Sequence, residues 1–65
     1  MLRGTVTEFD EARGLGTVTA LDGSPFLFHV IEIADGSRTI DVGQPVVFQP
    51  LPKFGTFQAG HVAKL

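Results

Sequence analysis

Apolar residues in this chain come in short bursts that end at glycine, proline or Asp-Gly, and no burst holds the three-to-four-residue period of a helix. β-Branched residues and phenylalanine fill the bursts. The pattern predicts strands near residues 3–9, 15–20, 25–30, 44–49 and 57–64. Asp22-Gly23 separates the second and third strands with a pair suited to the positive φ of a tight hairpin, and Asp35-Gly36 offers a similar turn. Pro50 and Pro52 fall in the connection before the last strand, where a missing N–H is harmless. Val6 and Phe9 cannot share a face under strict alternation, so the first strand is expected to bend or bulge between them.

Five short strands in 65 residues must curl to bury one face, because an open sheet would leave edges and half of its apolar surface wet. The expected fold is therefore all-β, a small five-stranded antiparallel barrel, with residues 1–65 as a single domain. At this size only about 60% of the unfolded surface is buried on folding, so stability is marginal. Repeats and low-complexity tracts are absent.

Composition narrows the function classes. The chain has no cysteine, which excludes disulfides and fits a reducing compartment. Its two histidines lack the paired spacing of a metal site, so neither a metal nor another cofactor is expected. Met1-Leu2-Arg3-Gly4 is too short and too polar for a signal sequence, and no apolar run approaches membrane-spanning length. A soluble, cytoplasmic protein without membrane contact is the expectation. Seven acids against five bases give a net charge of -2, the wrong sign for holding polyanions by bulk charge, although a local basic patch remains open.

Arg13 to Val18 (R-G-L-G-T-V) and Pro25 to Val30 (P-F-L-F-H-V) are the most informative segments. Gly4 to Asp10 precedes them, and Gly36 to Phe48 and Gln58 to Val62 follow. Taken together, the chain resembles a bacterial cold-shock domain, whose blocks run G-x-V-K-W-F-N, K-G-F-G-F-I, V-F-V-H-F, G-F-K-S-L-x-E-G-Q-x-V-x-F and P-Q-A-x-N-V. Four of the five blocks match in order and spacing, with about one residue missing before Gly36. The resemblance implies a five-stranded OB-fold barrel with Val6, Phe9, Val18, Phe26, Phe28, Ile33, Val46, Phe48 and Val62 in its core. It also implies a surface on which exposed rings stack against the bases of single-stranded RNA or DNA.

That surface has lost its rings here. Glu8 stands at the family's Trp, Leu15 and Thr17 at two Phe, Leu27 at a third, Val30 at the following aromatic and Ser37 at another Phe. Arg13 and Arg38 match basic positions, His29 keeps its place and is expected to face outward, and Gln58 keeps an amide suited to base edges. The resemblance thus makes Arg13, Leu15, Thr17, Leu27, His29, Val30, Arg38 and Gln58 the nucleic-acid-binding residues, with weakened or altered affinity. Arg13 and Arg38 have a plainer reading as solubilising surface charges, and His29 as a solvated strand residue. Aligning His29 turns Phe26 and Phe28 inward, whereas a one-residue slip would expose both. Phe54 and Phe57 could form a new aromatic platform or pack under the loop.

A second reading gives the same face to protein contact, most simply a homodimer: Leu15, Leu27 and Val30 would form an apolar patch, and Glu8 and Arg13 would pair across a two-fold axis. Catalysis has the least support. Ser24 and Ser37 sit in turn-like sequence without an activating base, Asp10 and Glu11 read as a solvated turn, and no small-molecule substrate is implied. Gly14 and Gly16 lack the third glycine of a dinucleotide loop, Thr19 standing there, and read instead as turn or bulge residues.

Overall fold

A computed structural model describes residues 1–53 and 55–65. Phe54 lies outside the described residues. Five strands, β1 (Leu2–Asp10), β2 (Leu15–Ala20), β3 (Pro25–His29), β4 (Pro45–Lys53) and β5 (Thr56–Lys64), close into a barrel in the order β1-β2-β3-β5-β4. A 3-10 turn, Val30–Glu32, follows β3.

All neighbouring strands are antiparallel except β3 and β5, which meet in parallel through Leu27 and Gln58, with a further parallel bridge between Ile33 and Val62. The expected five-stranded barrel is thus present, antiparallel but for this one seam, and parity gives the reason. Strand direction cannot alternate around a closed ring of five, so one seam has to be parallel.

The register of β1 against β2 shifts between Val6 and Glu8, which leaves Thr7 as the extra residue of a bulge. This is the bend required to put Val6 and Phe9 on one face. Asp22-Gly23 closes the β2–β3 connection: Gly23 has φ 92°, and the Asp22 carboxylate accepts the Ser24 N–H at 2.9 Å. That hydrogen bond, followed by one from the Ser24 side chain, holds the Asp22 carboxyl below its usual range. Asp35-Gly36 forms a comparable turn, with the Asp35 carboxylate accepting the Ser37 N–H at 2.9 Å.

Pro50 and Pro52 lie inside β4, opposite Ala59 and Phe57, and not in a connection. Past Phe48, β4 pairs with β5 but no longer with β1. Successive residues send their nitrogens to opposite edges, so prolines two apart share an edge. The strand continues because that edge is the open one.

Val6, Val18, Phe28, Val46, Phe48 and Val62 are fully buried, and Ile33 joins them in the core. Phe26 and Phe9 are only partly buried, the former against Phe48 with ring centroids 5.0 Å apart, the latter over Phe28 at 6.3 Å. The inward register of Phe26 and Phe28 follows. Ala20, Val30, Ile40 and Ala59 complete the core. Ile40 belongs to the long connection between the 3-10 turn and β4, so that loop supplies packing as well as linkage.

Candidate nucleic-acid interface

Outward-facing residues form two rows across the barrel. In one, Glu8 stands opposite Thr17, Thr17 opposite Leu27, Leu27 opposite Gln58 and Gln58 opposite Leu51, so a single row crosses all five strands. In the second, Asp10 faces Leu15 and Leu15 faces His29. The β1 bulge sets this registration, since it turns Glu8 outward beside Thr17 and Phe9 inward opposite Gly16.

A shallow groove of about 370 Å3 follows these rows, lined by Glu8, Asp10, Arg13, Leu15, Thr17 and Leu27, together with Phe9. Leu27, at the centre of the first row, is 57% exposed. Arg13 is presented by the turn between β1 and β2. The Asp10 carboxylate accepts the Arg13 N–H at 3.2 Å and the Asp10 carbonyl accepts that of Gly14 at 2.9 Å. Asp10 is therefore a turn brace as well as a groove wall.

Gly16 serves close packing, not a turn or bulge: a Cβ there would stand 2.6 Å from the Phe28 ring. Gly14, with φ 65°, is the turn residue of the pair.

Arg38 is carried by the long connection and held between braced neighbours. The Ser37 hydroxyl donates to the Asp35 carboxylate, and Lys64 Nζ lies 3.3 Å from both the Ser37 hydroxyl and an Asp35 oxygen. The Ser37 hydroxyl, then its N–H, with Lys64 adding to them, holds the Asp35 carboxyl at about 2. Ser37, at the family's ring position, is thus used inside its own loop.

Arg13, Leu15, Thr17 and Leu27 share the groove. His29 is exposed at the end of β3 and Gln58 is half-buried beside Leu27. Arg38 meets Arg13 and His29 in an adjoining depression. Val30 does not belong with them. It is 8% exposed and packs in the core, which removes it from the contact face and shrinks the apolar patch. Alternation from Phe26 and Phe28 already pointed Val30 inward.

Phe9 is the residue that sequence reasoning placed wholly in the core and that the structure brings to the groove. The bulge turns Phe9 inward, and its remaining exposure depends on what packs over it, which no local pattern marks. Phe57 is 59% exposed next to Gln58. Among the described residues no group of three His, Asp or Glu side chains gathers as a metal site, and no helix is long and apolar enough to cross a membrane.

Solved structures with this architecture include a Drosophila Unr structure, CSD456, with a TM-score of 0.82 and 28% identity over 98% of this chain. The chain has a cold-shock-domain fold. It covers 26% of the length of the Unr chain, which is a larger protein. No protein-family model matches the sequence, and no curated protein matches it. Within the cold-shock-domain fold, the groove combines two leucines, a partly buried phenylalanine, a hydroxyl group and charges of both signs, with the Gln58 amide on the strand beside Leu27. Such a surface can take a flat apolar group edged with hydrogen-bonding atoms.

Proposed function

We propose that the chain is a non-enzymatic module that binds single-stranded RNA or DNA through the groove over β1, β2 and β3, more weakly than a ring-lined face would. The convergence of Arg13, Leu15, Thr17 and Leu27 on one groove of the cold-shock-domain fold carries this reading. Leucine side chains and the Phe9 ring give bases an apolar surface. Thr17 and Gln58 supply groups for base edges, and Arg13 supplies charge for phosphate.

The weakness follows from what is missing. Base–aromatic stacking contributes ~1–3 kcal/mol per base, and about 1.4 kcal/mol is tenfold in affinity. Losing three or four stacks lowers affinity by roughly a hundredfold or more, even when the losses do not add fully. Glu8 adds repulsion where phosphates pass.

The test is anisotropy of a labelled oligopyrimidine, as RNA and as DNA, at low salt, with wild type and Arg13→Ala. Binding that weakens with added salt and with Arg13→Ala supports the reading. Salt-independent binding that ignores Arg13→Ala contradicts it.

A homodimer using the same face is the second reading, favoured by the 57% exposure of Leu27 and by Glu8 and Arg13 lining one groove without an ion pair between them among the described residues. Sedimentation showing only monomer at tens of micromolar and above removes it.

A further inference from the structure

Beside the groove lies a smaller depression of about 190 Å3. Three separate segments bring cation-capable side chains to it: Arg13 from the β1–β2 turn, His29 from the end of β3, and Arg38 from the loop after the 3-10 turn. Arg13 lines the groove as well, so the two depressions share a wall. Glu11 is the one carboxylate on the lining, and among the described residues neither guanidinium is taken up by an ion pair. Two arginines against one glutamate give the lining a net positive charge.

The side of the groove formed by β1 has the opposite character. Glu8 and Asp10 line it, opposite Thr17 and Leu15 in the register. A polynucleotide running over the whole face would pass the two arginines and then two carboxylates, where each phosphate meets like charge. One phosphate is welcome on this surface, and a succession of them is not.

We propose that Arg13, His29 and Arg38 hold a terminal phosphomonoester of a single strand, with the adjoining base on Leu15 and Leu27. The interface then grips a strand end and not a run of backbone. The inference rests on the nucleic-acid reading of the groove. A phosphomonoester carries about 1.5 to 2 negative charges at neutral pH and three strong acceptor oxygens. An internal diester carries a single charge. Two forked guanidiniums can each engage two oxygens of the terminal group, which an internal diester cannot offer equally.

The test uses one short oligopyrimidine in four forms, with a 5′-phosphate, with a 3′-phosphate, with neither, and closed into a circle. Affinities come from amide shifts of the labelled protein. One phosphorylated form is expected to bind about tenfold or more tighter than the unphosphorylated and circular forms, the size of one charge-assisted hydrogen bond. Which form it is tells the strand end. Its log affinity should fall against log salt with a slope of about -0.7 to -1.4, for one or two phosphates. Arg38→Gln, checked for an intact amide spectrum, should bring the ratio of phosphorylated to unphosphorylated binding toward one. Equal binding of circular and phosphorylated linear forms overturns the strand-end inference while the nucleic-acid reading stands. No binding by any form removes that reading and the inference with it.

Discussion

Leu27 faces Gln58 across the parallel seam that closes the barrel, and on its other side it faces Thr17. It therefore sits mid-row on the candidate face, with Leu15 on the neighbouring strand in the next outward row. Replacing both leucines by phenylalanine restores two rings where bases are proposed to lie. The Leu15→Phe, Leu27→Phe protein should bind an oligopyrimidine at least about tenfold tighter than wild type, read by anisotropy, since each stack contributes ~1–3 kcal/mol. An unchanged affinity would show that the face has been assigned wrongly.

Gly16 lies against the fully buried ring of Phe28, so an added methyl group has nowhere to go. A Cβ would also stand 2.8 Å from the Glu8 carbonyl oxygen, which is backbone and cannot rotate away. Gly16→Ala is expected to cost about 1–3 kcal/mol by overpacking. The measurement is urea unfolding, with a lower midpoint at an unchanged slope.

His61 occupies the left-handed region at φ 50°, where the register of β4 against β5 shifts. Its N–H donates to Glu32 Oε1 at 3.1 Å, a bond that any side chain at position 61 would keep. Asparagine tolerates this conformation better than histidine. His61→Asn should therefore raise stability by up to ~1 kcal/mol in the same unfolding assay. A loss of stability would mean that the imidazole makes a contribution of its own.

Asp35, held at about 2 against the usual 3.8, ties acid stability to the Arg38 loop. A carboxyl with a depressed folded pKa contributes fully above its unfolded value, and the contribution disappears as pH falls through the folded one. The melting temperature of wild type should exceed that of Asp35→Asn near neutral pH, and the gap should narrow between about pH 4 and pH 2. A gap that stays constant over this range would contradict the Ser37 and Lys64 brace.

Much of the barrel was legible because alternation is local. β2 begins and ends where its pattern predicts, and Phe28 faces inward as the alignment of His29 requires. The misses arise where a residue's surroundings come from distant segments. Pro50 is allowed in β4 only because β1 ends its pairing at Phe48, and Ile40 enters the core from a loop with no strand period. Val30 was assigned by family correspondence against its own parity with Phe28, and parity prevailed. For the site, the row through Thr17, Leu27 and Gln58 follows from strand identity, whereas the meeting of Arg13, His29 and Arg38 depends on loop paths that no short pattern encodes.

The most direct test of the central claim is an amide-shift titration of isotope-labelled wild-type protein with a short oligopyrimidine at low salt. The chain has neither Trp nor Tyr to serve as an intrinsic fluorescent probe. Shifts concentrated at Arg13, Leu15, Thr17, Leu27, His29 and Gln58 that fade with added salt are the predicted result. An absence of shifts at millimolar ligand, for both RNA and DNA, would contradict nucleic-acid binding by this face.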